Sequence, residues 1–488
     1  MKKIFLIVPT LLFCTSCFAG IRLANVFGDG MVLQQKASVR IWGMADSNST
    51  VFVDASWGSK AEAGCDASGR WSVGIRTPEA GYSPQCLRIY TTADPASGAA
   101  LESGKPSESL TVSDILIGEV WMCSGQSNME LIMQPYPDQH LHVDNAEAEI
   151  ASAGNEYVRY NSVKRNESFS PLEDTGMNGW KKIDPESVRW VSAVGYYFAS
   201  MLQKQLGVPV GLICDYYGAS PIQSWIPERR AKDRFYAKEN ARLEEKRASG
   251  AEKPEFDMIS ALYDAMINPV IGYGIKGWLW YQGEANVGDE GRYLRMMEDL
   301  VESWREDWKA DLPFYFVQLP PFVYPGSQSG RWAYLAESQE VAEDAIGNSA
   351  MIVTADIGNP ANIHPGDKKD VGERLAAVAL NKAYGKRGFK CAYPRCVSAK
   401  LSGGKVEMAF RNAGKGLSSD GECSEFAVSA DGENFVAAKV SFSGDKILLG
   451  AEGVAEPRFV RYCWHDSARS NVFNSFRLPL GPFRMEVK

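Results

Sequence analysis

Val120 to Glu130 reads VWMCSGQSNME. An apolar run ends there in the small polar cluster Ser124-Gly125-Gln126-Ser127-Asn128. Such a cluster suits a tight turn, or a hydroxyl nucleophile held at the end of a buried strand. Three further apolar runs end in polar segments. PVGLICDYYG leads into Gly218-Ala219-Ser220-Pro221 and IQSW, and GWLWYQGE into Gln282-Gly283-Glu284-Ala285-Asn286. AMIVTADIG carries Asp356 and is followed by NIHPGDKKDVGERLA. Acyl transfer needs a hydroxyl nucleophile, a general base and donors for a tetrahedral oxyanion. Ser127 is the candidate nucleophile. Its own N–H, the N–H of Gly218 and the side chain of Asn286 are candidate oxyanion donors, glycine because it lets the main chain approach a substrate closely. The chain has four histidines, His140, His142, His364 and His465. Only His364 follows a strand end and precedes a helical pattern, so it is the candidate base. His140 and His142 lie in a polar loop and read as rim residues. Taken singly, each residue also has a structural reading: Ser127 as a turn residue, Asn286 in an Asx turn, Asp356 as a cap. Their coincidence at one expected sheet edge favours chemistry.

These residues must be positioned by a sheet. From Ile115 the apolar runs are compact and do not alternate, the mark of strands buried on both faces of a parallel sheet. Helical patterns lie between them, among them SVRWVSAVGYYFASMLQKQLG and GRYLRMMEDLVESWREDW. Alternating strand and helix predicts a doubly wound α/β domain over 115–390, with ligands beyond the carboxyl ends of the strands. Within it, Glu239 to Phe256 is a charged insertion, read as a solvated helix or loop. Short alternating strands with Gly and Pro punctuation predict a β-sandwich-like domain over 20–114 and a second β-domain over 391–488.

The length of 488 residues suits about three domains. A net charge of −8 argues against a nucleic-acid partner, because phosphate binding needs a basic surface. The 13 tryptophans are either core or sugar-stacking platforms. Residues 1–19 read as a signal peptide, with Lys2 and Lys3 before the apolar stretch Ile4 to Phe13 and cleavage expected before Gly20. Export to the periplasm or medium follows, with lipid anchoring through Cys14 or Cys17 as the alternative. No later run reads as a transmembrane helix. Cys65 with Cys86 and Cys391 with Cys396 are candidate disulfides in an exported chain, against free thiols as the other reading. No Cys/His cluster suggests a metal site.

WMCSGQSNME, YYGASPIQSWIP, WLWYQGEANV and NIHPGDKKDVGERLA together resemble the sialate O-acetylesterase family of carbohydrate esterases, within the SGNH (GDSL-like) hydrolase superfamily. The resemblance extends to the C-terminal RYCWHDSARSNVFNSFRLPLGPFR. It implies hydrolysis of O-acetyl esters on sugars, without metal or organic cofactor. It implies Ser127 as nucleophile, Gly218 and Asn286 in the oxyanion hole and His364 as base. Gln126, Glu284 and Gln223 are then expected to shape or contact the substrate. The superfamily's Asp-x-x-His pattern fails, because Ala361 stands three places before His364 and Asn362 follows it. Either Asp356 orients the imidazole, or a main-chain carbonyl does so in a Ser-His dyad. The substrate is expected to be a sialate, with acetylated xylan or another plant polysaccharide as the alternative. A cation at the mouth would favour the anionic sialate, and Arg331 and Arg374 are the candidates. A different class of function is a secreted, non-catalytic carbohydrate-binding protein.

Overall fold

The computed structural model describes residues 20–92, 108–134, 136, 141–324, 330–450 and 452–488. The expected signal segment 1–19, with Cys14 and Cys17, and the expected rim residue His140 lie outside the described residues. The architecture is mixed α/β around a central mixed sheet. Its parallel strands lie in the spatial order Asn155–Ser162, Val210–Tyr216, Glu108–Gly125, Gly277–Tyr281, Phe314–Val317 and Ser349–Ile352. Lys181–Ile183 pairs antiparallel on the outer side of the first. Every residue of the strands Val210–Tyr216, Gly277–Tyr281, Phe314–Val317 and Ser349–Ile352 is buried, which is why their sequences do not alternate.

The two faces are covered for different reasons. Helix Ala193–Leu206 starts where the Ser192 hydroxyl accepts from the Gly195 N–H and ends at Gly207 in the left-handed region. It packs with helix Lys368–Lys382 on one face of the sheet. On the other face, Trp304 of helix Glu290–Trp308 packs its ring 5.9 Å from both Trp278 and Trp280. Trp121, Trp225, Trp278, Trp280, Trp304 and Trp332 are all fully buried. Much of the tryptophan is therefore core rather than sugar platform. The chain turns back across the sheet at Glu108–Gly125, so the crevice beyond that strand's carboxyl end is where such a sheet binds ligands.

The expected border at 114/115 falls inside a single strand. The first part of Glu108–Gly125 pairs with Gly81–Thr92 and Val32–Gln34, the second with Val210–Tyr216 and Gly277–Tyr281. The N-terminal β region and the α/β region therefore share one sheet, of 11 strands among the described residues. Glu119, buried within that strand, accepts from Gln34, Gln35 and the Tyr384 hydroxyl at 3.0, 2.6 and 2.8 Å. A second N-terminal sheet is formed by Arg22–Leu23, Ser38–Met44 and Arg70–Arg76. Beyond residue 390 the described residues form two four-stranded antiparallel sheets and a two-stranded one.

In the charged insertion, helix Ala237–Ala248 buries only Leu243 and pairs Arg242 with Glu255 and Asp257. Neither candidate disulfide is formed: Cys65, Cys86, Cys391 and Cys396 are all free thiols. Cys65 accepts a hydrogen bond from Ser49, and Cys396 donates one to the Ser398 carbonyl. Among the described residues no helix is long and apolar enough to cross a membrane.

Candidate active site

The strand Glu108–Gly125 ends against its neighbour. Gly125 has φ +132, and a Cβ there would lie 2.2 Å from the Tyr281 carbonyl oxygen. Only glycine fits so close an approach in that conformation. The main chain then passes through Gln126, whose N–H donates to the same carbonyl, into the single helical turn Ser127–Glu130. Ser127 is thereby lifted out of the strand at the sheet edge.

The His364 imidazole meets it there, with Nε2 2.8 Å from Ser127 Oγ. His364 is itself held by its N–H, which donates to Asn362 Oδ1 at 2.9 Å. Burial, assisted by the charge of Lys368, brings the imidazole pKa down to about 4. His364 is therefore neutral near pH 7 and able to accept a proton.

Gly218 lies beside Ser127. A Cβ at Gly218 would be 3.7 Å from Ser127 Cβ and only 2.8 Å from Glu130 Oε2, so any side chain would crowd the site. The next residue, Ala219, has φ +62, a left-handed conformation that costs a non-glycine residue on the order of 1 kcal/mol. Asn286 is buried and its amide orientation is fixed. Oδ1 accepts from the Ile222 N–H at 2.9 Å and from Gln282 Nε2 at 2.8 Å, and Nδ2 donates to Gln223 Oε1 at 3.1 Å. Of the expected substrate contacts, Gln126 is buried and its Oε1 accepts from the N–H groups of Gly283 and Ala285. Glu284 is also buried and accepts from Asn128. Both join one strand-end loop to another. Gln223 is half-buried beside Asn286.

Asp356 does not orient His364. Its two carboxylate oxygens accept from Arg374 at 2.8 and 2.6 Å. Among the described residues the imidazole's hydrogen bond is to Ser127 alone, with no carboxylate on the ring. The same pairing removes Arg374 from the mouth, and Arg331 is paired with Glu290. Asp356→Asn is therefore expected to cost about 3 kcal/mol of stability, as for a broken buried ion pair. Turnover by the folded variant should change only a few-fold, which melting curves and acetate release measured side by side would check.

Two residues escaped the sequence reading. Arg165 pairs with Glu130, and its Nη2 lies 3.3 Å from where a Gly218 Cβ would be. It comes from an irregular stretch with no periodic or motif signal. Lys368, four places after His364, is fully buried and donates to Asn128 Oδ1 at 2.5 Å. An uninterrupted Lys-Lys pair at the start of a helix gave no hint that one ammonium points inward.

A family model described as carbohydrate esterase, sialic acid-specific acetylesterase matches residues 117–381. Curated sialate O-acetylesterases are similar over most of the chain. The Homo sapiens protein is 30% identical over 417 residues, which cover 79% of this chain and 75% of that one. The Mus musculus protein is 27% identical, with 96% and 95% covered. The crystal structure of a carbohydrate acetylesterase from Xanthomonas citri superposes with a TM-score of 0.82 at 30% identity, covering 95% of this chain and 99% of that one. With a serine and a neutral histidine in contact at the edge of its sheet, the chain belongs to the sialic acid-specific acetylesterase family of carbohydrate esterases.

Proposed function

We propose that this carbohydrate esterase removes acetyl groups from sugar hydroxyls through an acyl-enzyme on Ser127, in an SGNH-type hydrolase domain. The observation that carries the reading is the 2.8 Å contact between Ser127 Oγ and His364 Nε2 beside Gly218. His364 takes the hydroxyl proton as Ser127 Oγ attacks the acetyl carbonyl. The N–H groups of Ser127 and Gly218 and the side chain of Asn286 hold the oxyanion. The tetrahedral intermediate collapses, the ester C–O bond breaks, and the imidazolium returns its proton to the departing sugar hydroxyl. A water, deprotonated by the same imidazole, attacks the acetyl-serine. Acetate leaves and Ser127 regains its proton. No step requires a metal or an organic cofactor.

The substrate in this reading is an O-acetylated sialate, the class the mammalian relatives are named for. Arg165, whose Nη2 lies 3.3 Å from where a Gly218 Cβ would be, sets a cation beside that glycine, which suits an anionic sugar. Its pairing with Glu130 offsets that charge and suits a neutral acetylated polysaccharide such as xylan. Acetate release from 9-O-acetylated sialic acid and from acetylated xylan, assayed in parallel with Ser127→Ala as control, decides between them. Release from the sialate is the expected result. Release from xylan alone keeps the mechanism and changes the substrate. Release from neither above the control makes the non-catalytic carbohydrate-binding reading the one to test. The protein is read as exported after cleavage before Gly20, which the mass of the mature chain would test.

A further inference from the structure

One buried charge beneath the nucleophile turn has no part in the acyl-transfer scheme. Lys368 stands in the first turn of helix Lys368–Lys382, where the helix dipole disfavours a cation. Its side chain is nevertheless fully buried. An ammonium in that position is costly unless it is paired. Nζ donates to Asn128 Oδ1 at 2.5 Å and sits 5.4 Å from the centre of the Tyr281 ring. The Nδ2 of the same amide donates to Glu284 and, at 2.9 Å, to the main-chain oxygen of Ile363. One side-chain amide therefore joins the residue after Ser127, the residue before His364 and the loop that carries Asn286. The opposite charges at its two ends fix which way it points. A flipped amide would set its N–H groups against the ammonium and its oxygen against the carboxylate and the Ile363 carbonyl.

We propose that Lys368 is a positioning residue for the hydrolysis. Through Asn128 it holds the Ser127 turn and the main chain at His364 in register, which is a positioning task only: unlike the carboxylate of a Ser-His-Asp triad it touches no imidazole atom and does not stabilise the imidazolium. The proposal rests on the acyl-enzyme reading above. It accounts for a serine and histidine in contact with no carboxylate on the imidazole. It also gives Glu284 a reason to be buried, as the counter-charge at the far end of the Asn128 amide. The charged groups in play are few. Lys368 faces His364, and Glu284, Asp367 and Asp144 face Lys368. Burial lowers Lys368 to about 7 against the pull of those three carboxylates, and burial raises Glu284.

Lys368→Met keeps the aliphatic stem and removes the donor and the charge. With 4-nitrophenyl acetate, kcat is expected to fall about 100-fold, the cost of a misplacement near 1 Å, while KM changes little. The acid limb of kcat/KM should move to higher pH, because the cation that disfavours the imidazolium is gone. A lysine whose charge does not reach the imidazole would not move that limb, and one that only stabilises the fold would not split kcat from KM. A folded variant with kcat close to wild type, or with an unmoved acid limb, overturns the proposal. Should the variant fail to fold, Asn128→Ala decides, because it removes the amide that joins Lys368 to the Ile363 carbonyl. There kcat is expected to fall with KM little changed, and a folded Asn128→Ala protein with wild-type kcat overturns the proposal. An unaltered protein inactive on every acetyl ester would end the acyl-enzyme reading and the proposal with it, whereas an active protein with unimpaired variants ends the positioning alone.

Discussion

Ser127→Ala is expected to lower kcat/KM for an acetyl ester by about 10⁵-fold while the protein keeps its melting behaviour. The hydroxyl is the group in contact with His364, and the turn is held by other atoms: the Gln126 N–H on the Tyr281 carbonyl and the Asn128 amide on Ile363. Removing Oγ therefore takes away the attacking atom without loosening its support. Residual hydrolysis would come from the oxyanion donors acting on water, which in serine hydrolases leaves about 10³–10⁴-fold over the uncatalysed rate. The same logic makes the effects non-additive. Adding His364→Ala to Ser127→Ala should cost little more, because the base has nothing left to activate. Acetate release and thermal melts of the two single variants and the double variant test both points. Turnover by folded Ser127→Ala near that of wild type would sink the nucleophile assignment.

The second large effect is expected at Asn286. Asn286→Ala should reduce kcat by roughly 10²–10³-fold, the range for loss of one oxyanion donor. It should also cost about 2 kcal/mol of stability, because the buried Ile222 N–H and Gln282 Nε2 lose their acceptor. Asn286→Asp separates the two roles. It keeps an oxygen for Ile222 and Gln282 but has no N–H for the oxyanion and sets a negative charge near it. Activity should fall at least as far as in Asn286→Ala, with less loss of stability. If Asn286→Asp instead retains wild-type kcat, Asn286 serves the fold and not the oxyanion.

The sheet was legible because its chemistry is local. Runs such as GWLWY have no polar face to show, and that absence of alternation identifies strands buried on both sides. The residues that meet at the site were legible for the related reason that each follows such a run. Ser127, Gly218, Asn286 and His364 could be nominated from position alone; Ser127 lies against His364 with Gly218 beside it, and Asn286 stands in the loop after Gly277–Tyr281. What could not be read was pairing across the chain. Asp356 looked available to His364 because nothing local shows that Arg374, one helix away, reaches back to it with two N–H groups. The burial of Lys368 was equally hidden, because its partner is an amide 240 residues earlier. The disulfide candidates were chosen on closeness in sequence, which does not bring thiols into bonding geometry. The border at 114/115 was placed where the residue pattern changes, and the backbone crosses that change without a break.

That unbroken crossing bears on how the protein can vary. A strand of 18 residues is about 60 Å of extended chain, with the nucleophile turn at one end and a different partner strand at the other. Such an element behaves as a tie beam. The N-terminal strands are not an appendage that could be swapped or trimmed, because cutting at the change of pattern would leave Leu116 and Ile117 uncovered and Glu119 without its glutamine donors. Heating should therefore melt the two regions in one step. Substitutions more than 20 residues before Ser127 belong among those that can shift the aim of its hydroxyl, so a relative with a different N-terminal β region would be a hydrolase with a re-sighted site, not the same site in new packaging.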